Sequence, residues 1–140
     1  MRVIVSLGSN LEPRADYLKR AVVALSSLPE TRFVQASRVI ETEPVGVPEE
    51  FAALKFLNQV AVFETMLDPF GFSRRMHAIE DDLGRVRTVR NGPRTIDIDL
   101  IDFGGQAIDT PELTLPHPRA HRRSFVQEPL RELGIQIERG

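Results

Sequence analysis

The chain is predicted to fold as an α+β domain in the order β-α-β-β-α-β. Three observations predict it. Short stretches rich in Val, Ile and Phe recur at Arg2–Ser6, Thr31–Glu41, Phe56–Thr65 and Thr95–Asp102. Two longer segments between them carry apolar residues at helical spacing. Proline, glycine and charged residues fill the intervals. That order is the split βαβ, or ferredoxin-like, pattern: an antiparallel sheet with helices on one face and the other face left for ligands or further elements.

Each element has its own signals. Arg2–Ser6 is a first strand. The first helix runs from Pro13 to about Leu28, with Leu18, Ala21, Val22, Leu25 and Leu28 on one side and Pro13 suited to a first turn. Pro29 helps to end it. Thr31–Glu41 and FLNQVAVFET at Phe56–Thr65 alternate as second and third strands. Asp68-Pro69 starts the second helix, the carboxylate capping and the proline occupying the first helical position. Phe72, Met76, Ile79 and Leu83 make its apolar stripe, and Gly84 is placed to terminate it. The fourth strand follows an arginine-rich loop, and short helical elements around Phe125–Leu133 make up the C-terminal part. A single domain spanning residues 1–140 is expected, long enough to bury a core without staples.

Composition bounds the function. There is no cysteine, hence neither a disulfide framework nor a thiolate metal site. The formal net charge of −2 argues against broad nucleic-acid binding through phosphate neutralisation. The N-terminal apolar run is cut off by Gly8, Ser9 and Asn10, too short for a signal peptide, and no stretch approaches membrane-spanning length. A cytoplasmic monomer without membrane partners is the expectation.

The chemistry concentrates in RVRTVRNGPRTIDID, Arg85–Asp99. Arg85, Arg87, Arg90 and Arg94 supply planar donor forks that match phosphate oxygens, and paired carboxylates match Mg²⁺. Alternation along the strand puts Ile96, Ile98 and Leu100 on one face and Asp97 and Asp99 on the other. The two aspartate Cα atoms then lie roughly 6.5–7 Å apart, suited to clamping one ion or flanking two. Aspartate is depleted in strands and like charges on one face repel, so a merely solvated face explains the pair poorly. The charge pattern points to a magnesium-bound polyphosphate such as ATP.

Several segments together resemble the 6-hydroxymethyl-7,8-dihydropterin pyrophosphokinase family of folate biosynthesis. They are SLGSNLEPR at Ser6–Arg14, ETEPVG at Glu41–Gly46, FLNQVAVFET, GRVR at Gly84–Arg87, GPRTIDIDLIDFG at Gly92–Gly104 and LTLPHPRAHRRSFVQEPL at Leu113–Leu130. The resemblance implies transfer of the β,γ-diphosphate of ATP to the pterin hydroxymethyl oxygen, with release of AMP. It assigns two Mg²⁺ ions to Asp97 and Asp99, and the transferring phosphates to Arg85 and Arg94, with Arg87 at a further phosphate-loop position. It assigns the pterin to Asn58, to backbone groups near Thr42 and Val45, and to two sandwiching aromatics, Phe56 and Phe125. His117, Thr114, Arg123, backbone groups of Leu100, and the helix pair His77 and Glu80 are assigned to the nucleotide. His77 and Glu80 are placed on the polar side of their helix, and Gly8 and Asn10 in a strand-to-helix turn. Asn91 stands where many members carry an aromatic, and Glu112 where some place an arginine. A non-catalytic RNA-reading module of the same topology would expose stacked aromatics where this chain carries Asp97 and Asp99.

Overall fold

In a computed structural model, residues 1–43, 49, 54–84 and 95–136 are described, the side chain of His121 excepted. The elements run β1 (Arg2–Ser9), α1 (Arg14–Ser26), β2 (Thr31–Ala36), β3 (Ile40–Thr42), β4 (Phe56–Thr65), α2 (Pro69–Asp82), β5 (Asp97–Phe103), β6 (Ile108–Asp109), β7 (Thr114–Leu115) and α3 (Ser124–Glu132). The main sheet is antiparallel in the order β2-β4-β1-β5, with β3 also paired to β4. β6 and β7 form a separate two-stranded ribbon.

Local chemistry explains most boundaries. Asp68 caps α2 by accepting from the Gly71 N–H at 3.1 Å, and Pro69 takes the first helical position. Gly84 follows α2 with φ of 85°, the left-handed conformation that ends helices. Pro13 lies just outside α1, where its carbonyl accepts from the Tyr17 N–H at 3.0 Å. The expected second strand is divided. Ser37 exchanges bonds with Val60, its N–H donating to the Val60 carbonyl and its Oγ accepting from the Val60 N–H. The chain therefore leaves the ladder after Ala36 and rejoins β4 at Ile40.

Each sheet face has its own core. Val3, Val5 and Leu7 of β1 pack with Leu18, Ala21 and Leu25 of α1, Phe72, Met76 and Ile79 of α2, and Ile98, Leu100 and Phe103 of β5. On the opposite face Ile4, Val60, Val62 and Ile101 pack with Ala120, Val126 and Leu130. α3 thus covers only part of the second face, toward one end of the strands. A register shift between Ile4 and Val5 leaves Ile101 as the extra residue of β5, so Phe103 returns to the α1–α2 face.

Candidate active site

At the uncovered end of the second face, three strands line up. Gly8 of β1 is opposite Asn58 of β4 on one side and Asp97 of β5 on the other; Ser6 is likewise opposite Val60 and Asp99. Directly opposed residues share a face. Asn58 and Asp97 therefore flank a floor of two small residues, about 9–10 Å apart at two strand spacings. An added Cβ at Gly8 would stand 3.1 Å from Asn58 Oδ1 and 3.4 Å from the Phe56 ring. Gly8 is thus a strand residue at the centre of the site, correcting its expected place in a turn. Asn10, also expected in that turn, is buried just beyond the strand end. The apolar run of Arg2–Ser6 had suggested an early strand end, but Gly8 and Ser9 continue the ladder because both neighbours hydrogen-bond β1.

One flank of the floor carries an oriented side-chain amide. Asn58 is only 4 % exposed, and its Nδ2 donates to Thr42 Oγ of β3. This fixes the amide orientation with a hydroxyl rather than with backbone alone, a role for Thr42 that the resemblance did not suggest. Phe56 is opposite Thr42 in the ladder, beside the same floor.

The other flank is charged. Asp97 and Asp99 are half-buried on the face opposite the buried Ile98 and Leu100, as alternation requires. Arg123 Nη1 lies 3.7 Å from Asp99 Oδ2, and its guanidinium carbon sits 5.5 Å from the Phe125 ring centroid. Phe125 opens α3 and packs at the edge of the second core. His117 joins through its backbone, its N–H donating to the Ile101 carbonyl at 2.9 Å, and its Nδ1 accepts from the Arg119 N–H at 3.2 Å. Burial, then the charges of Arg123 and Arg119, lower its pKa to about 4 against an opposing pull from Asp97. The imidazole is therefore neutral near pH 7.

The second helix differs from expectation. Glu80 is fully buried rather than on a polar helix side. Its Oε2 accepts from the Ile98 N–H at 2.8 Å, and its Oε1 lies 2.8 Å from Nδ1 of the half-exposed His77. The cause is the sheet order: β5 has β1 on one side only, so its outer-edge amides need other partners, and a helix carboxylate supplies one. Ile98 separates the two aspartates, so Glu80 holds the backbone that carries them. The Leu100 side chain is in the core, so only its backbone can meet a ligand. Thr114 is exposed on β7. Glu112 is held by Arg74 through two bonds of 2.8 and 3.1 Å, which neutralises the carboxylate. Arg85, Arg87, Asn91, Arg94 and Val45 lie outside the described residues.

Among the described residues no group of three His, Cys, Asp or Glu could hold a metal. The Asp97–Asp99 pair nevertheless fits Mg²⁺, which favours one or two carboxylates and completes its shell with water and substrate phosphates.

The 7,8-dihydro-6-hydroxymethylpterin-pyrophosphokinase (HPPK) family model matches residues 4–135. The chain belongs to this family. It is 39% identical over 135 residues to the 2-amino-4-hydroxy-6-hydroxymethyldihydropteridine pyrophosphokinase of Bacillus subtilis, covering 96% of this chain and 79% of that protein. It is 41% identical over 136 residues to the enzyme of the same name from Pseudomonas aeruginosa, covering 97% and 82%. Among solved structures, Plasmodium falciparum HPPK-DHPS with pteroate aligns with a TM-score of 0.70 at 14% identity, over 94% of this chain and 38% of that longer one. That likeness shows that the two share a fold.

Proposed function

We propose that this HPPK-family chain transfers the β,γ-diphosphate of ATP to the hydroxymethyl group of 6-hydroxymethyl-7,8-dihydropterin, releasing AMP, in folate biosynthesis. The observation that carries the reading is the row Asn58–Gly8–Asp97 across three strands. An amide reader at one side and a carboxylate pair at the other, with only glycine and serine forming the floor between, suit a flat bicyclic ring whose reactive arm points at the carboxylates. The strand order around this row agrees with a ferredoxin-like reading of the sheet.

Asn58, oriented by Thr42, reads the donor–acceptor edge of the pterin, and backbone near Val45 adds to it. Phe56 and Phe125 supply the apolar faces for the ring. Asp97 and Asp99 would hold two Mg²⁺ ions, which would supply neutralisation of phosphate charge and orientation of the triphosphate. Arg123, steadied between Asp99 and Phe125, meets phosphate oxygens, as do Arg85, Arg87 and Arg94. Neutral His117, Thr114, His77 and the Leu100 backbone take the nucleotide. Glu80 acts from behind, holding the Asp97–Asp99 strand. The hydroxymethyl oxygen attacks the β-phosphorus, the bond from that phosphorus to the α,β-bridging oxygen breaks, AMP leaves with that electron pair, and the hydroxyl proton passes to solvent. Placement and charge stabilisation carry such a transfer.

³¹P NMR of the protein with MgATP and the pterin tests this. AMP and a new pterin diphosphate ester, forming only when both substrates are present, are expected. Asp97→Ala and Asp99→Ala should abolish them while near- and far-UV circular dichroism stay unchanged. ADP in place of AMP would indicate single-phosphate transfer and overturn the proposal; full turnover in either aspartate variant would overturn the assignment of the metals to Asp97 and Asp99.

A further inference from the structure

Two of the family-like segments, SLGSNLEPR and ETEPVG, each contain a charged residue with no part in the chemistry above: Arg14 and Glu41. The fold brings them together. Arg14 Nη1 donates to Glu41 Oε2 at 2.9 Å and to the Lys55 carbonyl at 3.0 Å, and Arg14 Nε is 3.3 Å from Glu12 Oε2. The Arg14 side chain is only 20% exposed. Its hydrogen bond to Glu41 is the main cause that raises its pKa further. Lys55 Nζ in turn lies 3.3 Å from Glu43.

Glu41 is the middle residue of the three-residue strand β3, and Lys55 immediately precedes β4. One guanidinium therefore grips both strands at the end where Thr42 is opposite Phe56 and bonds Asn58. A strand this short has few ladder bonds of its own, at the lower limit of usual strand length. An exposed ion pair alone would contribute little. A carboxylate and a backbone carbonyl sharing one guanidinium nitrogen of a partly buried side chain also constrain geometry, because the two N–H groups of the planar Nη1 fix both acceptors at once.

We propose that Arg14 is a positioning residue for pterin recognition: it clasps β3 to the start of β4 so that Thr42 holds the Asn58 amide in its reading orientation. This rests on the assignment of Asn58 to the pterin made above. Three variants, Arg14→Ala, Arg14→Lys and Glu41→Gln, test it. Arg14→Ala should raise the pterin KM about tenfold while kcat and the ATP KM stay within about twofold. Arg14→Lys should restore part of the loss, since it keeps the charge but lacks the fork. Glu41→Gln should resemble Arg14→Ala, and combining them should add little. In the unliganded protein, amides of Ile40–Thr42 should exchange about tenfold faster in Arg14→Ala, with β1 and β5 unchanged. A pterin KM and β3 exchange both unchanged would overturn the clasp. So would a parallel decline in kcat, both KM values and protection throughout the sheet, which marks a general structural role. If the wild-type protein forms no AMP, the functional reading fails on its own evidence; exchange in β3 still decides whether Arg14 holds that strand.

Discussion

Gly8 is where the two halves of the site meet, and a single methyl group there should separate them. Its backbone is ordinary strand, so the requirement is for space rather than for glycine's conformational freedom. Gly8→Ala should place Cβ against Asn58 Oδ1 and the Phe56 ring. Overpacking of this kind destabilises by about 1–3 kcal/mol, and the pterin should lose affinity as its floor rises. Thermal unfolding and a pterin fluorescence titration check this; a folded variant with unaltered affinity would remove Gly8 from the site. At His117 the sign of the pH effect follows from the lowered pKa. Above the ordinary value of 6.5 the ring is neutral folded or unfolded, and the full stability is present. As pH falls from there toward about 4, the unfolded chain binds a proton that the folded ring refuses, and stability is lost. NMR titration of the metal-free protein should show one His ring proton moving near pH 4. A midpoint close to 6.5 for His117 would contradict the geometry around Arg119 and Arg123.

At the scale of elements, α2 and β5 act as one unit. Glu80→Ala strips the buried Ile98 N–H of its acceptor, an effect of about 1–3 kcal/mol. Because Ile98 lies between the aspartates, kcat should decrease along with the unfolding temperature, and the Ile98 amide should exchange faster. Glu80→Gln keeps an acceptor oxygen and should recover most of the stability. A stable Glu80→Ala protein with normal exchange at Ile98 would sink this assignment. This element pair also shows how far the chain can be read unaided. The α2 stripe of Phe72, Met76 and Ile79 and its Asp68-Pro69 start were legible, because helical period and capping are local. Burial of Glu80 was not, since it depends on β5 being an edge strand and on which helix lies beside it. The division of β2 from β3 was hidden for the same reason: Thr31–Glu41 alternates throughout, and only the exchange between Ser37 and Val60 interrupts the ladder.

For the whole molecule, α3 turns a half-covered sheet into a site with a wall. It buries Val126 and Leu130 over the second face but stops short of Gly8, leaving Phe125 and Arg123 at the boundary. Ligands that bridge β4, β5 and α3 should therefore stabilise the entire fold by mass action. Saturation at 100 times Kd corresponds to about 2.7 kcal/mol. The unfolding temperature should rise with MgATP and further with a non-reactive pterin analogue, and EDTA should cancel most of the ATP contribution. An EDTA-insensitive rise would argue against metal binding at Asp97 and Asp99.

The amino-acid order by itself determined the helices, the strand periods, the shared face of Asp97 and Asp99, and the family resemblance through GPRTIDIDL. Those are short-range matters: alternation, capping and charge spacing act within a few residues. The tertiary structure alone decided that Gly8 lies between Asn58 and Asp97, that Glu80 is buried behind Ile98, and that Arg14 reaches Glu41 and Lys55. Each of these joins residues far apart in the chain, and strand order and register, set by the burial of two opposite sheet faces, determine which of them meet.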